Sequence, residues 1–172
     1  MKRTLLGVAL FAALSASSEA QAIELADNIR AAGHWGIGLG GGLSTSGVSF
    51  KWFMADYLAL EAVAGFFGGG GAFGSDNLNS GGLGLQADLL FELPTIVMAG
   101  DVMELGWAIG PGVWTSIGGT FWLGVNGTLA LEFNFIPVPI DLVLEYKPSL
   151  LLIDNIDFSA YSFAGHVRIY FM

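Results

Sequence analysis

From residue 161 onward the chain alternates, with Tyr161, Phe163, Val167, Ile169 and Phe171 on one parity and Ser162, His166 and Arg168 on the other. Side chains repeat every second residue along a strand, so this segment is predicted to carry one bulky apolar face and one polar face. Seven earlier segments show the same pattern: residues 33–41, 48–54, 57–66, 83–92, 103–109, 120–133 and 139–147. In the first, Trp35, Ile37 and Leu39 oppose His34, Gly36, Gly38 and Gly40; in the seventh, Ile140, Leu142, Leu144 and Tyr146 oppose Asp141, Glu145 and Lys147. Turn or loop signals separate them: Asp56, the glycine-rich stretch 68–81, the connection 94–101, Gly110-Pro111-Gly112 ending the fifth strand, and Asp154-Asn155. Strands of about nine to eleven residues match the length that crosses a bilayer.

The faces decide between two kinds of barrel. A soluble ligand-binding barrel turns its apolar face inward and needs an outer face dense in charge. Here the face opposite the bulky one is mostly Gly, Ala and Ser with an occasional charge, which suits the narrow interior of a small barrel whose Leu, Val, Phe and Trp belt meets lipid. The expected fold is therefore all-β: a single-domain, monomeric, eight-stranded antiparallel up-and-down transmembrane β-barrel over residues 33–172. By the usual arrangement, both termini and the connections after strands two, four and six face the periplasm.

Composition agrees. Hydrophobic residues make up 53% of the chain, yet past the leader no stretch of about 18 residues is free of charge, proline and dense glycine, as a helical span requires. Lys2 and Arg3, the apolar run 5–14 and the ending Ala20-Gln21-Ala22 form a secretory signal peptide, residues 1–22, with cleavage expected after Ala22. Removing it takes the formal net charge from −9 to −10 by loss of Lys2, Arg3 and Glu19. An acidic surface argues against nucleic acid as a partner. Residues 23–32 are expected to be an N-terminal periplasmic segment, a short helix or a loosely ordered lead-in. With no cysteine, neither a disulfide nor a lipid-anchored cysteine is available.

The runs GWAIGPGVW, PVPIDLVLEYKPSLLLI and FAGHVRIYF resemble the OmpA/OmpX-like superfamily of eight-stranded outer-membrane barrels. More narrowly, they look like a small outer-membrane barrel family with a P-V-D-x-x-L-E-x-x-P-x-L pattern near the end. The resemblance covers about residues 33–172 and implies residence in the bacterial outer-membrane lipid and insertion by the barrel-assembly machinery. It brings no activity and no cofactor. Phe171 is followed by Met172, which displaces the terminal aromatic by one position.

Chemistry is confined to the inward parity, which gathers Glu61, Asp88, Glu92, Glu104, Glu132, Asp141 and Glu145 with Lys51, Lys147, Arg168, His166 and His34. A hairpin turning at Asp56 sets Lys51 opposite Glu61 as a cross-strand ion pair, and Arg168 is expected to pair with Asp141 or Glu145. A narrow lumen cannot leave such charges unpaired, so a hydrogen-bonded plug is expected. The functional reading is a structural or adhesin-like surface-interaction protein whose external loop, including Gly70, Ser75, Asp76 and Asn77, meets an extracellular protein ligand. The alternative is a narrow cation-selective pore for ions or small solutes lined by the carboxylates. Other patterns fail on context. Gly36, Gly38 and Gly41 fit G-x-G-x-x-G but no helix follows. Asn126-Gly127-Thr128 lies within a membrane strand, and two histidines give no metal spacing. Ser162 and His166, four residues apart on a strand, are about 13 Å apart by backbone rise, too far for a nucleophile and base.

Overall fold

The computed structural model describes residues 29–42, 45–67, 82–118, 121–153 and 156–171. The signal-peptide residues and the loop residues Gly70, Ser75, Asp76 and Asn77 lie outside the described residues. Ten strands form: β1 (Trp35–Gly42), β2 (Thr45–Ala55), β3 (Leu58–Phe67), β4 (Leu83–Ala99), β5 (Met103–Ile117), β6 (Trp122–Phe135), β7 (Ile140–Tyr146), β8 (Ser149–Leu151), β9 (Asp157–Ser159) and β10 (Phe163–Phe171). Each of β1 to β6 pairs antiparallel with the next, and β10 pairs with both β7 and β1, closing the sheet.

Two of the ten are continuations. Leu129 pairs with Tyr146 and Asn126 with Ser149, so β8 extends β7 along β6 in the same register across Lys147 and Pro148. Likewise β9 pairs with β8 as β10 pairs with β7. The molecule is a closed eight-stranded antiparallel barrel. The end where β1 begins and β10 stops is called the base, and the opposite end the rim.

Two expectations about strand limits are corrected. Residues 94–101 are not a loop: β4 runs to Ala99 and turns at Gly100, whose φ of +58° suits glycine. The register shift between Leu93 and Val97, opposite Trp107 and Leu105, is a bulge that breaks the alternation. Gly110-Pro111-Gly112 does not end the fifth strand either, since β5 continues to Ile117. Those glycines serve close approach. A Cβ on Gly110 would meet the Leu89 carbonyl oxygen, and one on Gly112 the Asp88 carboxylate.

The packing is that of an inverted globule. Trp35, Ile37, Leu39, Val48, Trp52, Phe91, Ile109, Val113, Leu129, Leu142, Leu144, Val167 and Ile169 are exposed on the outer wall, whereas Lys51, Glu61, Asp88, Glu132, Asp141 and Arg168 are buried within. Inward glycines clear the space: a Cβ on Gly36 would lie 2.8 Å from the Tyr170 ring, and one on Gly40 would overlap Nδ1 of His166.

Candidate functional site

The inward parity gathers into ion-paired, hydrogen-bonded groups stacked from the base toward the rim. Near the base, Lys51 Nζ lies 2.5 Å from Glu132 and 2.8 Å from Glu92, with its ammonium 4.8 Å from the Phe53 ring centroid. Beside it sits Arg30. Its Nε donates to Glu92 at 3.2 Å, its Nη1 to Glu104 at 3.0 Å, and its Nη2 to the Leu93 carbonyl at 2.7 Å. Burial opposes the charge on Arg30, but Glu92, Glu132 and Glu104 outweigh it and hold the guanidinium above its ordinary pKa. The Thr95 hydroxyl donates to the same Glu104 oxygen.

Midway up, Arg168 spans two strands. Its Nε donates to both oxygens of Asp141 at 3.0 and 3.2 Å, and its Nη1 to Glu61 at 2.6 Å. The Tyr170 hydroxyl also donates to Asp141, at 2.7 Å. Above this, Lys147 Nζ lies among three carboxylates: Glu145 at 2.6 Å, Asp88 at 3.1 Å and Glu61 at 3.2 Å. Asp88 accepts three more hydrogen bonds, from Gln86, Asn126 and Thr128, at 2.7, 2.6 and 3.0 Å.

His166 joins the network on both ring nitrogens. Nε2 lies 2.8 Å from Glu145 and donates to it, since a carboxylate only accepts; Nδ1 lies 2.9 Å from Ser49 Oγ. A hydroxyl, an imidazole and a carboxylate in that order are the parts of a nucleophile–base–acid relay. Ser49, however, is 0% exposed, so a substrate carbonyl has no approach to it. Glu61, Glu145 and His166 also bring ligand atoms within 4.8 Å of one another, a grouping the sequence spacing did not suggest. The Lys147 ammonium already stands as the cation at that point.

Both ends of the network are closed by apolar side chains. Toward the rim, Trp114 stacks on Phe67 with centroids 5.9 Å apart, and Leu151 and Trp122 pack alongside. Toward the base, Ile29, Phe53, Leu90 and Tyr170 form a second cluster. The seven lumen carboxylates are at most 7% exposed.

Of the twelve residues that sequence parity sets on the inward face, eleven are buried: Lys51, Glu61, Asp88, Glu92, Glu104, Glu132, Asp141, Glu145, Lys147, His166 and Arg168. The pairings are less faithful. Arg168 finds Asp141 as expected. Lys51 and Glu61 are register partners, but Lys51 crosses to Glu132 and Glu92 while Glu61 bonds Lys147 and Arg168. Opposed long side chains reach the far wall of so narrow a barrel as easily as they reach one another. The hydroxyl beside His166 is that of Ser49, a neighbour the sequence pattern does not mark. His34 is half-buried at the base, just ahead of β1. Arg30, assigned no lumen role from sequence, is the unforeseen member, and nothing in a period-two pattern marks a residue that precedes the strands. A scan against protein-family models, a search of curated proteins and a search of solved structures found no match for the chain.

Proposed function

We propose that the chain is an outer-membrane barrel of the OmpA/OmpX-like kind whose lumen is sealed, and that it serves as a structural or surface-interaction protein rather than a conduit. The observation that carries this is the inversion of polarity: a charged, hydrogen-bonded interior inside an exposed apolar wall. In water such a wall is an aggregation hazard, while in lipid it is the favourable surface. Aromatic residues at both ends of the wall, with Trp35 stacked on Phe171 at 4.6 Å near the base and exposed Phe66, Phe121 and Tyr161 toward the rim, suit the two membrane interfaces. Export would follow from the leader and insertion from the barrel-assembly machinery, leaving the rim loops to meet an extracellular protein.

The membrane reading is tested with variants that each retain one tryptophan, reconstituted in vesicles of brominated lipid. Trp52, exposed on the wall, is expected to be quenched strongly, and Trp114, buried in the rim cluster, weakly. Equal quenching of the two, or a chain that does not float with the vesicles, contradicts the reading. A second reading, the narrow cation-selective pore, is favoured by one feature only. Among the described residues, the lumen holds seven carboxylates against Arg30, Lys51, Lys147, Arg168 and His166. An excess of negative charge would select cations if the plug opened.

A further inference from the structure

We propose that the base of the barrel is a receptor for a single guanidinium group, filled in cis by Arg30, and that the segment leading into β1 is a removable stopper of the lumen. The inference goes beyond the proposed role and does not depend on it, because binding is read on the folded barrel in detergent. Arg30 belongs to no strand, yet it is only 6% exposed. The chain reaches it by folding beneath the barrel. Gly33 turns with φ +92°, its N–H donates to the Phe53 carbonyl at 2.7 Å, and the Ala32 N–H donates to Asp56 at 2.9 Å. Ile29 follows Arg30 inside and completes the apolar cluster at the base.

The pocket fits a planar fork and not a point charge. The three guanidinium nitrogens go to three separate acceptors, Glu92, Glu104 and the Leu93 carbonyl, and Glu132 lies 4.0 Å from Nε. An ammonium cannot address acceptors set in those directions at once. Two local features of the strands build the pocket. The bulge after Leu93 presents a carbonyl to Nη2. The missing side chain of Gly106 leaves room for the guanidinium, since a Cβ there would lie 2.6 Å from Arg30 Nη1. With Arg30 withdrawn, Glu92, Glu104 and Glu132 would share the Lys51 ammonium alone among the bases of this cluster, leaving a cation-attracting mouth.

The test uses the refolded full chain carrying Arg30→Ala, with guanidinium chloride as the probe at millimolar levels far below denaturing ones. Guanidinium is expected to raise the unfolding midpoint of this variant saturably and to leave the unsubstituted protein unchanged, with sodium chloride at equal ionic strength doing neither. Equal effects of the two salts on the variant overturn the receptor. Should Arg30→Ala not fold, Gly106→Val evicts the guanidinium with every carboxylate in place. Trypsin is then expected to cut after Arg30 roughly ten-fold faster than in the unsubstituted protein, since cleavage follows the open population. Equal cleavage rates overturn the stopper.

Discussion

Replacing Arg168 by Met tests how dry the network is. The guanidinium is fully buried and bonds Asp141 and Glu61. Once it is gone, Glu61 keeps Lys147 at 3.2 Å, whereas Asp141 keeps only the Tyr170 hydroxyl and the backbone N–H of residue 168. A buried carboxylate stripped of its counter-charge costs about 3–5 kcal/mol. Against a total stability of about 5–15 kcal/mol for a single domain, that is a large fraction. With a urea dependence of about 2 kcal/mol per molar, the unfolding midpoint falls by roughly 2 M. The assay is urea unfolding of the refolded barrel in detergent, followed by circular dichroism and checked by heat-modifiable gel mobility.

A companion variant sharpens the reasoning. Arg168→Met combined with Asp141→Leu removes both charges, and replacing a whole buried pair by apolar groups is often close to neutral. What remains is the Tyr170 hydroxyl without its acceptor, worth about 1–3 kcal/mol. The double variant is therefore expected to be more stable than the single one. A single-variant loss below about 1 kcal/mol, the range of solvated surface pairs, would refute the claim that the network is dry. So would a double variant less stable than the single.

Two further outcomes probe the walls. Leu129→Arg places a charge on the outer wall, where the membrane reading sets a cost of about 2–4 kcal/mol at mid-depth; vesicle insertion measured by flotation and gel shift is expected to fall, and undiminished insertion would count against a lipid-facing wall. Gly40→Leu drives a side chain onto His166 and away from its bonds to Ser49 and Glu145, with an expected loss of about 1–3 kcal/mol. Gly127→Leu points outward with nothing within 4 Å of its Cβ and is expected to change stability by less than about 0.5 kcal/mol. Equal effects of the two glycine variants, measured by urea unfolding, would mean that the inward glycines do not make room for the network.

The parts legible in the sequence are those that depend on parity. Alternation in β1, β2, β3, β7 and β10 marks which residues face in. It fails where the backbone departs from strict period two. The bulge after Leu93 breaks the alternation through residues 94–96, so the end of β4 reads as a loop. Gly110 and Gly112 read as turn residues although they answer to crowding by Leu89 and Asp88; positive φ occurs instead at Gly33, Gly100 and Gly118 among the described glycines. Partner choice across the lumen is also hidden, because parity gives the face of Lys51 but not the distance to Glu132 on the far wall. Arg30 is least legible of all, since its place depends on a turn at Gly33 and a cavity at Gly106, neither of which is near it in a strand pattern.

The central claim is that a charged lumen is closed by its own side chains between two apolar clusters. Single-channel recording of the refolded mature barrel in a planar bilayer addresses it most directly, with gel mobility confirming that the protein is folded. A sealed lumen is expected to pass no current above the bilayer baseline, whether or not the applied voltage is reversed. A steady cation-selective current that falls on Glu61→Gln would contradict it and make the lumen carboxylates the lining of a pore.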